Sequence, residues 1–500
     1  MTRGVFESIP KQDKVGKKAF KALQPELRQQ LVTIQQELRA AKVPVMVLFA
    51  GVDGAGKSET VNLLNAWMDP RWVLSHAYSS PTEEEAQRPP FWRYWRHIPA
   101  KGQIAMYLSA WYSKPLLDRV RRTISQEHFE AQLTDIAAFE RSLQDNGILL
   151  LKFWMHLDKQ SQKKRLEELS SSPETEWRVK PGAWENWGLY DRFIDASETI
   201  VKHSEKAGAP WHLINGSQEN ARTLQVFRIL LASIQVRLKQ DATRQATQSD
   251  KDWDAAMKKT RGALGRMDLT PTLKREKYNQ EMKTLRRKLV QLQHQAQVAD
   301  LSTVLVFEGQ DAAGKGGAIR RLVKGLAAQE YQVIPIAAPT DEELARHYLW
   351  RFWRHLPRRG RVTIFDRSWY GRVLVERIEG FAQPAEWQRA YQEINEFESQ
   401  LTQHGMIICK FWIQIDKAEQ LRRFNERTNT PYKQWKITDE DWRNRKRWDA
   451  YTTSVEDMVA LTHQPKAPWT LVSGNDKLHA RMTVLRTVCE QLENALARVR

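Results

Sequence analysis

The sequence predicts an α/β chain of two tandem P-loop domains, each a parallel β-sheet flanked by helices. Three observations predict it: an internal repeat in one register, a glycine-rich GxxxxGK turn in each copy, and strand-length apolar runs alternating with helical segments. GVDGAGKS begins at Gly51 and GQDAAGKGG at Gly309, 258 residues later. RYWRHIP at 93–99 recurs as RFWRHLP at 351–357, and KFWMHLDK at 152–159 recurs as KFWIQIDK at 410–417, both again offset by 258. Trp184 and Trp442, and Asp191 and Asp449, obey the same offset. Chance does not hold so many motifs in register, so the chain is a duplication. A repeat of roughly 240 residues has the size of a domain rather than a solenoid unit. The expected division is a first domain at 1–240, a linker at 241–258 lacking apolar periodicity, and a second domain at 259–500.

Each copy opens with a polar, leucine-spaced helical pattern, at 17–39 and at 275–297. A short apolar strand follows, VPVMVLFA at 43–50 or LSTVLVFE at 301–308, and runs into the glycine-rich turn and a second helix. Later apolar stretches, 148–157 and 406–415, read as buried strands running up to Asp158 and Asp416. Strands alternating with helices imply a parallel sheet covered on both faces.

A GxxxxGK turn between strand and helix converges backbone N–H groups on phosphate oxygens, adds the positive end of the helix, and brings a lysine to the outer phosphates. Residues 51–58 carry the full pattern through Lys57 and Ser58. In the second copy the expected phosphate-binding residues are Gly309, Asp311, Ala312, Ala313, Gly314, Lys315, Gly316 and Gly317. Gly316 stands where most such loops have a Ser or Thr that holds Mg²⁺. Another oxygen must substitute. Asp311 is the expected one, because a carboxylate inside a phosphate loop would repel its ligand unless a cation lay between them.

RVTIFDRSWYG at 361–371 reads as a strand ending in Asp366, the position from which a Walker-B acid holds Mg²⁺ against the phosphates. Arg367 follows, placed to neutralise charge on a transferred group. At the offset of 258 these residues become Leu108 and Ser109, while Trp369-Tyr370 survive as Trp111-Tyr112. The scaffold is kept and the chemistry is gone, so the working site is expected in the second copy. The stretch 421–436 adds Arg422, Arg423, Arg427, Lys433 and Lys436, a basic helix and loop suited to a lid over a polyanion. Arg427 and Lys433 become Leu169 and Thr175 in the first copy. WRFWRHLP is kept in both copies, so its tryptophans, Arg351, Arg354 and His355 are expected to pack rather than react.

Composition narrows the classes. The chain of 500 residues has 78 Lys+Arg against 60 Asp+Glu, a formal charge of +18 that implies a polyanionic partner. Apolar runs are far shorter than a membrane span, the first residues lack a secretory h-region, and two cysteines cannot frame a disulfide scaffold. A cytoplasmic protein without membrane association is expected.

With GQDAAGKGG, FDRSWYG, KFWIQIDK and RRFNER in this order, nearly the whole chain resembles the family-two polyphosphate kinases, in their tandem-domain form. The resemblance implies two P-loop kinase-like domains, each with a helical lid, and Mg²⁺-dependent transfer of the terminal phosphoryl group of inorganic polyphosphate to AMP, giving ADP. By motif it implies that Asp311 and Asp366 hold metal, and that Lys315, Arg367 and Arg427 stabilise the phosphoryl group in transfer. It implies no nucleic-acid partner and leaves homo-oligomerisation open. The alternatives are an ATP-dependent nucleotide or small-metabolite kinase, which shares the loop, and a non-catalytic nucleic-acid-binding protein, which fits the charge but leaves Asp366-Arg367 unexplained.

Overall fold

A computed structural model describes residues 4–10, 12–179, 182–243 and 262–499. The residues sort into two compact units: Met1–Pro81, Arg93–Gln245 and Asp341–His347 in one, and Thr82–Trp92, Ala246–Thr340 and Tyr348–Arg500 in the other. Of the expected linker at 241–258, residues 241–243 end the helix Glu219–Thr243 and the remainder lies outside the described residues.

Each unit holds a five-stranded, all-parallel sheet. In the first, β1 (Val45–Gly51), β2 (Val73–Ala77), β3 (Ile104–Leu108), β4 (Leu149–His156) and β5 (His212–Asn215) lie in the order β2-β3-β1-β4-β5. In the second, β6 (Thr303–Gly309), β7 (Tyr331–Pro335), β8 (Val362–Asp366), β9 (Ile407–Gln414) and β10 (Trp469–Ser473) repeat it as β7-β8-β6-β9-β10. The registers repeat too: Phe307 pairs with Asp366 where Phe49 pairs with Leu108. The phosphate loop therefore leaves the central strand, and the acid expected beside it ends a neighbouring one. Strands buried on both faces read as near-continuous apolar runs, which is why β6 and β9 were legible as such.

The leucine-spaced helices form as expected, at Lys17–Ala41 and Arg275–Val298, burying Leu31, Ile34 and Leu38 in one core and Leu289, Leu292 and Ala296 in the other. Asp158 and Asp416 are helix N-caps, accepting from Ser161 N at 2.8 Å and Glu419 N at 2.7 Å. The WRFWRHLP tryptophans Trp350 and Trp353 are buried, so their packing role holds. Among the described residues no helix is long and apolar enough to cross a membrane.

Beneath the strand-end turn of the second unit lies a buried ion pair. Lys410 Nζ donates to Glu398 Oε2 at 2.7 Å, Tyr370 OH at 2.9 Å and Thr462 O at 2.7 Å. Trp369 Nε1 and Tyr370 OH both donate to Glu398 Oε1. Burial pushes the lysine pKa down, and Glu398 opposes that. The first unit repeats the arrangement with Lys152, Glu140, Trp111 and Tyr112. Because every donor is matched, removing one partner leaves an uncompensated buried charge. Lys410→Met should therefore cost about 3–5 kcal/mol, read as a lower midpoint in denaturant unfolding; an unchanged midpoint would show that the pair does not fasten this turn.

Candidate active site

The loop after β6 takes its shape from backbone constraints. Gly309 has φ 153°, and a Cβ there would lie 2.6 Å from the carbonyl oxygen of Ile413 on β9. Ala312 (φ 63°) and Gly314 (φ 112°) are left-handed, turning the chain into the helix Lys315–Val323. Peptides in such a turn leave carbonyls without helical partners, and Arg423 takes them. Its Nη1 donates to Ala312 O and Ala313 O at 2.9 Å each, its Nη2 to Gly474 O at 2.6 Å and Asn475 O at 2.9 Å, and its Nε to Glu419 at 2.5 Å. All five donors are spent, which corrects the reading of Arg423 as a lid cation: it is a buried clamp on the loop. Arg422 lies outside, paired with Glu419 at 2.7 Å and Glu426 at 3.8 Å.

Lys315 Nζ folds onto its own loop, donating to Gly309 O at 2.5 Å and Gln310 O at 3.4 Å. Burial lowers its pKa, and Arg367 adds to that against the pull of Asp311, Asp366 and Glu308. Asp311 accepts from Arg367 Nη2 at 3.3 Å and from Asn444 Nδ2 at 2.8 Å. Asp366 faces the first turn of the helix, its Oδ2 3.9 Å from where a Cβ on Gly316 would sit. Arg367 adopts φ 65°, donates its backbone N–H to Phe307 O at 3.0 Å, and reaches Glu440 at 3.9 Å. Asp311, Lys315, Asp366 and Arg367 thus converge on one loop.

Arg427 is partly buried further along the helix Lys417–Thr428, where its charge acts on Asp441 and it does not line the cleft described next. Lys433 and Lys436 belong to the turn Pro431–Lys436, and their side chains lie outside the described residues.

A cleft opens beside the loop, lined at the phosphate end by Glu308, Asp311 and Arg367 and along its walls by Leu374, Trp412, Trp448 and Tyr451. Sequence reasoning missed Glu308, which is buried and accepts from Ser368 Oγ at 2.8 Å, and Glu440 and Asn444 of the helix Asp439–Lys446. A signal was present: at the offset of 258, Glu308 becomes Ala50, Ser368 becomes Ala110 and Glu440 becomes Gly182. Beyond the loop, Arg481 comes within 3.4 Å of a Cβ on Gly317, and Arg320 and Arg321 act on its charge.

In the first unit the loop survives and its surroundings differ. Lys57 Nζ donates to Gly51 O at 2.8 Å and Val52 O at 2.7 Å, and Asn186 donates to Asp53 at 3.2 Å. The clamp is rebuilt from another helix: Arg222 donates to Ala55 O at 3.4 Å and Gly216 O at 3.2 Å, with Glu59 as its acid partner. Leu108 ends β3 where Asp366 ends β8.

The family model described as Polyphosphate kinase 2 (PPK2) matches residues 13–242 and 272–500. A curated polyphosphate:AMP phosphotransferase of Pseudomonas aeruginosa is 46% identical over 494 residues, spanning 98% of this chain and 99% of its own. One from Pseudomonas syringae pv. tomato is 43% identical, spanning 99% of each. A crystal structure from Pseudomonas aeruginosa assigned to polyphosphate kinase 2 superposes with a TM-score of 0.88 at 45% identity, covering 98% of this chain and 99% of that one.

Asp366→Asn and Lys315→Ala should each abolish phosphoryl transfer while the melting temperature stays within a few degrees of the parent. Lys57→Ala should leave most of the activity in place. Equal loss from Lys57→Ala and Lys315→Ala in the same assay would make the first loop a partner in catalysis.

Proposed function

This chain belongs to the polyphosphate kinase 2 family, and from that premise we infer that it transfers the terminal phosphoryl group of inorganic polyphosphate to AMP, giving ADP. The observation that carries the reading is the convergence of Asp311, Lys315, Asp366 and Arg367 on one phosphate loop, in a chain that matches polyphosphate:AMP phosphotransferases end to end.

The chemistry asks little of a general base, because the accepting phosphate oxygen of AMP is already anionic near neutral pH. The difficulty is bringing two anions together and spreading charge over the group in transfer. Loop N–H groups, turned toward the ligand because Arg423 holds the opposite carbonyls, supply fixed dipoles. Lys315 is poised to swing from Gly309 O to a phosphate, gaining a charged partner in exchange for a neutral one. Arg367 presents a planar fork beside Asp311. The apolar and aromatic walls formed by Leu374, Trp412, Trp448 and Tyr451 suit a nucleoside, and Arg320, Arg321 and Arg481 beyond Gly317 suit the remainder of a phosphate chain.

Mg²⁺ is part of the proposal. Among the described residues no three acids or histidines gather closely enough to cage an ion. That fits Mg²⁺, which is ordinarily held by one or two carboxylates together with substrate phosphates and water. Asp311 and Asp366 are the residues that would hold it, and the bare Gly316 leaves the space beside Asp366 open. When bound, the ion would neutralise phosphate charge and orient the reacting oxygens.

Purified protein given polyphosphate, AMP and Mg²⁺, with no ATP, should form ADP as followed by anion-exchange chromatography. The dependence on polyphosphate should weaken steeply with added salt, as a contact between long-range charges must. ADP formation from ATP and AMP alone, with polyphosphate inert, would overturn the reading.

A further inference from the structure

The helices that follow the two phosphate loops differ in their first turn. In the second unit the residue two beyond the loop lysine is Gly317; in the first, 258 positions earlier, it is Glu59. Glu59 stands on the first turn of the helix Lys57–Trp67, at the positive helix end where a loop of this kind takes an anion. Three arginines converge on its carboxylate. Arg165 Nη2 reaches Oε1 at 2.9 Å, Arg178 Nη1 reaches Oε1 at 3.4 Å, and Arg222 Nη2 reaches Oε2 at 3.2 Å. Glu168 adds one longer contact, to Arg165 at 3.6 Å.

These arginines come from three separate elements: the helix Lys159–Ser170, the turn Glu176–Arg178 and the helix Glu219–Thr243. Two of them press on the loop itself. A Cβ on Gly54 would lie 3.2 Å from Arg165 Cγ, and one on Gly56 would collide with the buried Arg222 guanidinium. One anionic group shared among several guanidinium forks is the pattern that a phosphate makes with an arginine cluster. The second unit shows the same place without the acid. A Cβ on Gly317 would lie 3.4 Å from Arg481 Nη2, and the like charges of Arg320 and Arg321 act on Arg481. Arg165 also stands at the register of Arg423. Because Arg222 holds the loop carbonyls in the first unit, Arg165 is released from that task and turns onto Glu59.

We propose that the first loop is a latent oligophosphate site whose resident anion is the Glu59 carboxylate: among Arg165, Arg178 and Arg222 it takes the place of a phosphate and closes the loop to polyphosphate. The rest of the cradle persists, with Lys57 still folded onto Gly51 O and Val52 O. Two changes therefore separate the units. Leu108 and Ser109 remove the strand-end acid and arginine, and Glu59 removes binding. The inference goes beyond the transfer reading and does not depend on which nucleotide the second unit serves.

The experiment is calorimetric titration of the full chain with tripolyphosphate and Mg²⁺. Glu59→Gly and Glu59→Ala should each bind about one more tripolyphosphate per chain than the parent, and adding Lys57→Ala should abolish the gain. Lys57→Ala alone should leave the parent's stoichiometry unchanged. Alanine preserves helix propensity, so it covers the case in which the glycine variant does not fold. Removing the acid leaves the buried Arg222 unmatched, so both variants should melt below the parent, and tripolyphosphate should raise their melting temperatures more than it raises the parent's. Unchanged stoichiometry in both variants, an added site that survives Lys57→Ala, or a parent that loses a bound tripolyphosphate on Lys57→Ala would each overturn the proposal. A parent whose binding is indifferent to Lys315→Ala would instead contradict the reading of the second unit, while the Glu59 variants still decide the first.

Discussion

The site depends on how the carbonyl side of the phosphate loop is held. Left-handed backbone at Ala312 and Gly314 points a row of peptide oxygens away from the cleft, where no helix or strand can satisfy them. Arg423 satisfies four carbonyls with one rigid fork, and each such bond to a charged donor is worth about 1.5–3 kcal/mol. With those carbonyls fixed the loop is held open, its Ala313 N–H turning back onto Gln310 O at 3.0 Å. The first unit meets the same requirement with Arg222 from a different helix, which marks this as a demand of the loop rather than of one residue.

On this frame the charges are balanced locally rather than spread. Lys315 and Arg367 face Glu308, Asp311 and Asp366, so the cations are kept in place by acids that substrate and metal can later relieve. The first unit shows the consequence of losing the balance. Without Glu308, Asp366 and Arg367 it keeps sheet order, register, loop and buried Lys152–Glu140 pair, and carries Leu108 and Ser109 where the strand-end acid and arginine stand in the second unit. Fold and chemistry are therefore separable in this chain, the first held by apolar strands and the second by a few polar side chains at their ends.

Much of this was legible in the sequence because duplication supplied an internal comparison. Strands β6 and β9 were readable as continuous apolar runs, and Asp366 was readable because its counterpart is Leu108. Arg423 was misread as a surface lid cation because a basic helix looks alike whether a given side chain points out or in. Only the carbonyls it meets, some 110 residues earlier in the chain, reveal which. Glu308 looked like the last residue of a strand, and Asn444 like any polar residue in a charged helix. Their roles come from contacts across the fold, with Ser368 and Asp311, that no local spacing encodes.

The central claim is that two acids in the second copy hold the catalytic ion and the first copy does not. Anomalous diffraction from crystals soaked with Mn²⁺ and polyphosphate tests it most directly. The account predicts a metal peak contacting Asp311 or Asp366 beside the loop of Lys315, and none at residues 51–58. A peak remote from both acids, or one equally strong at the first loop, would contradict it.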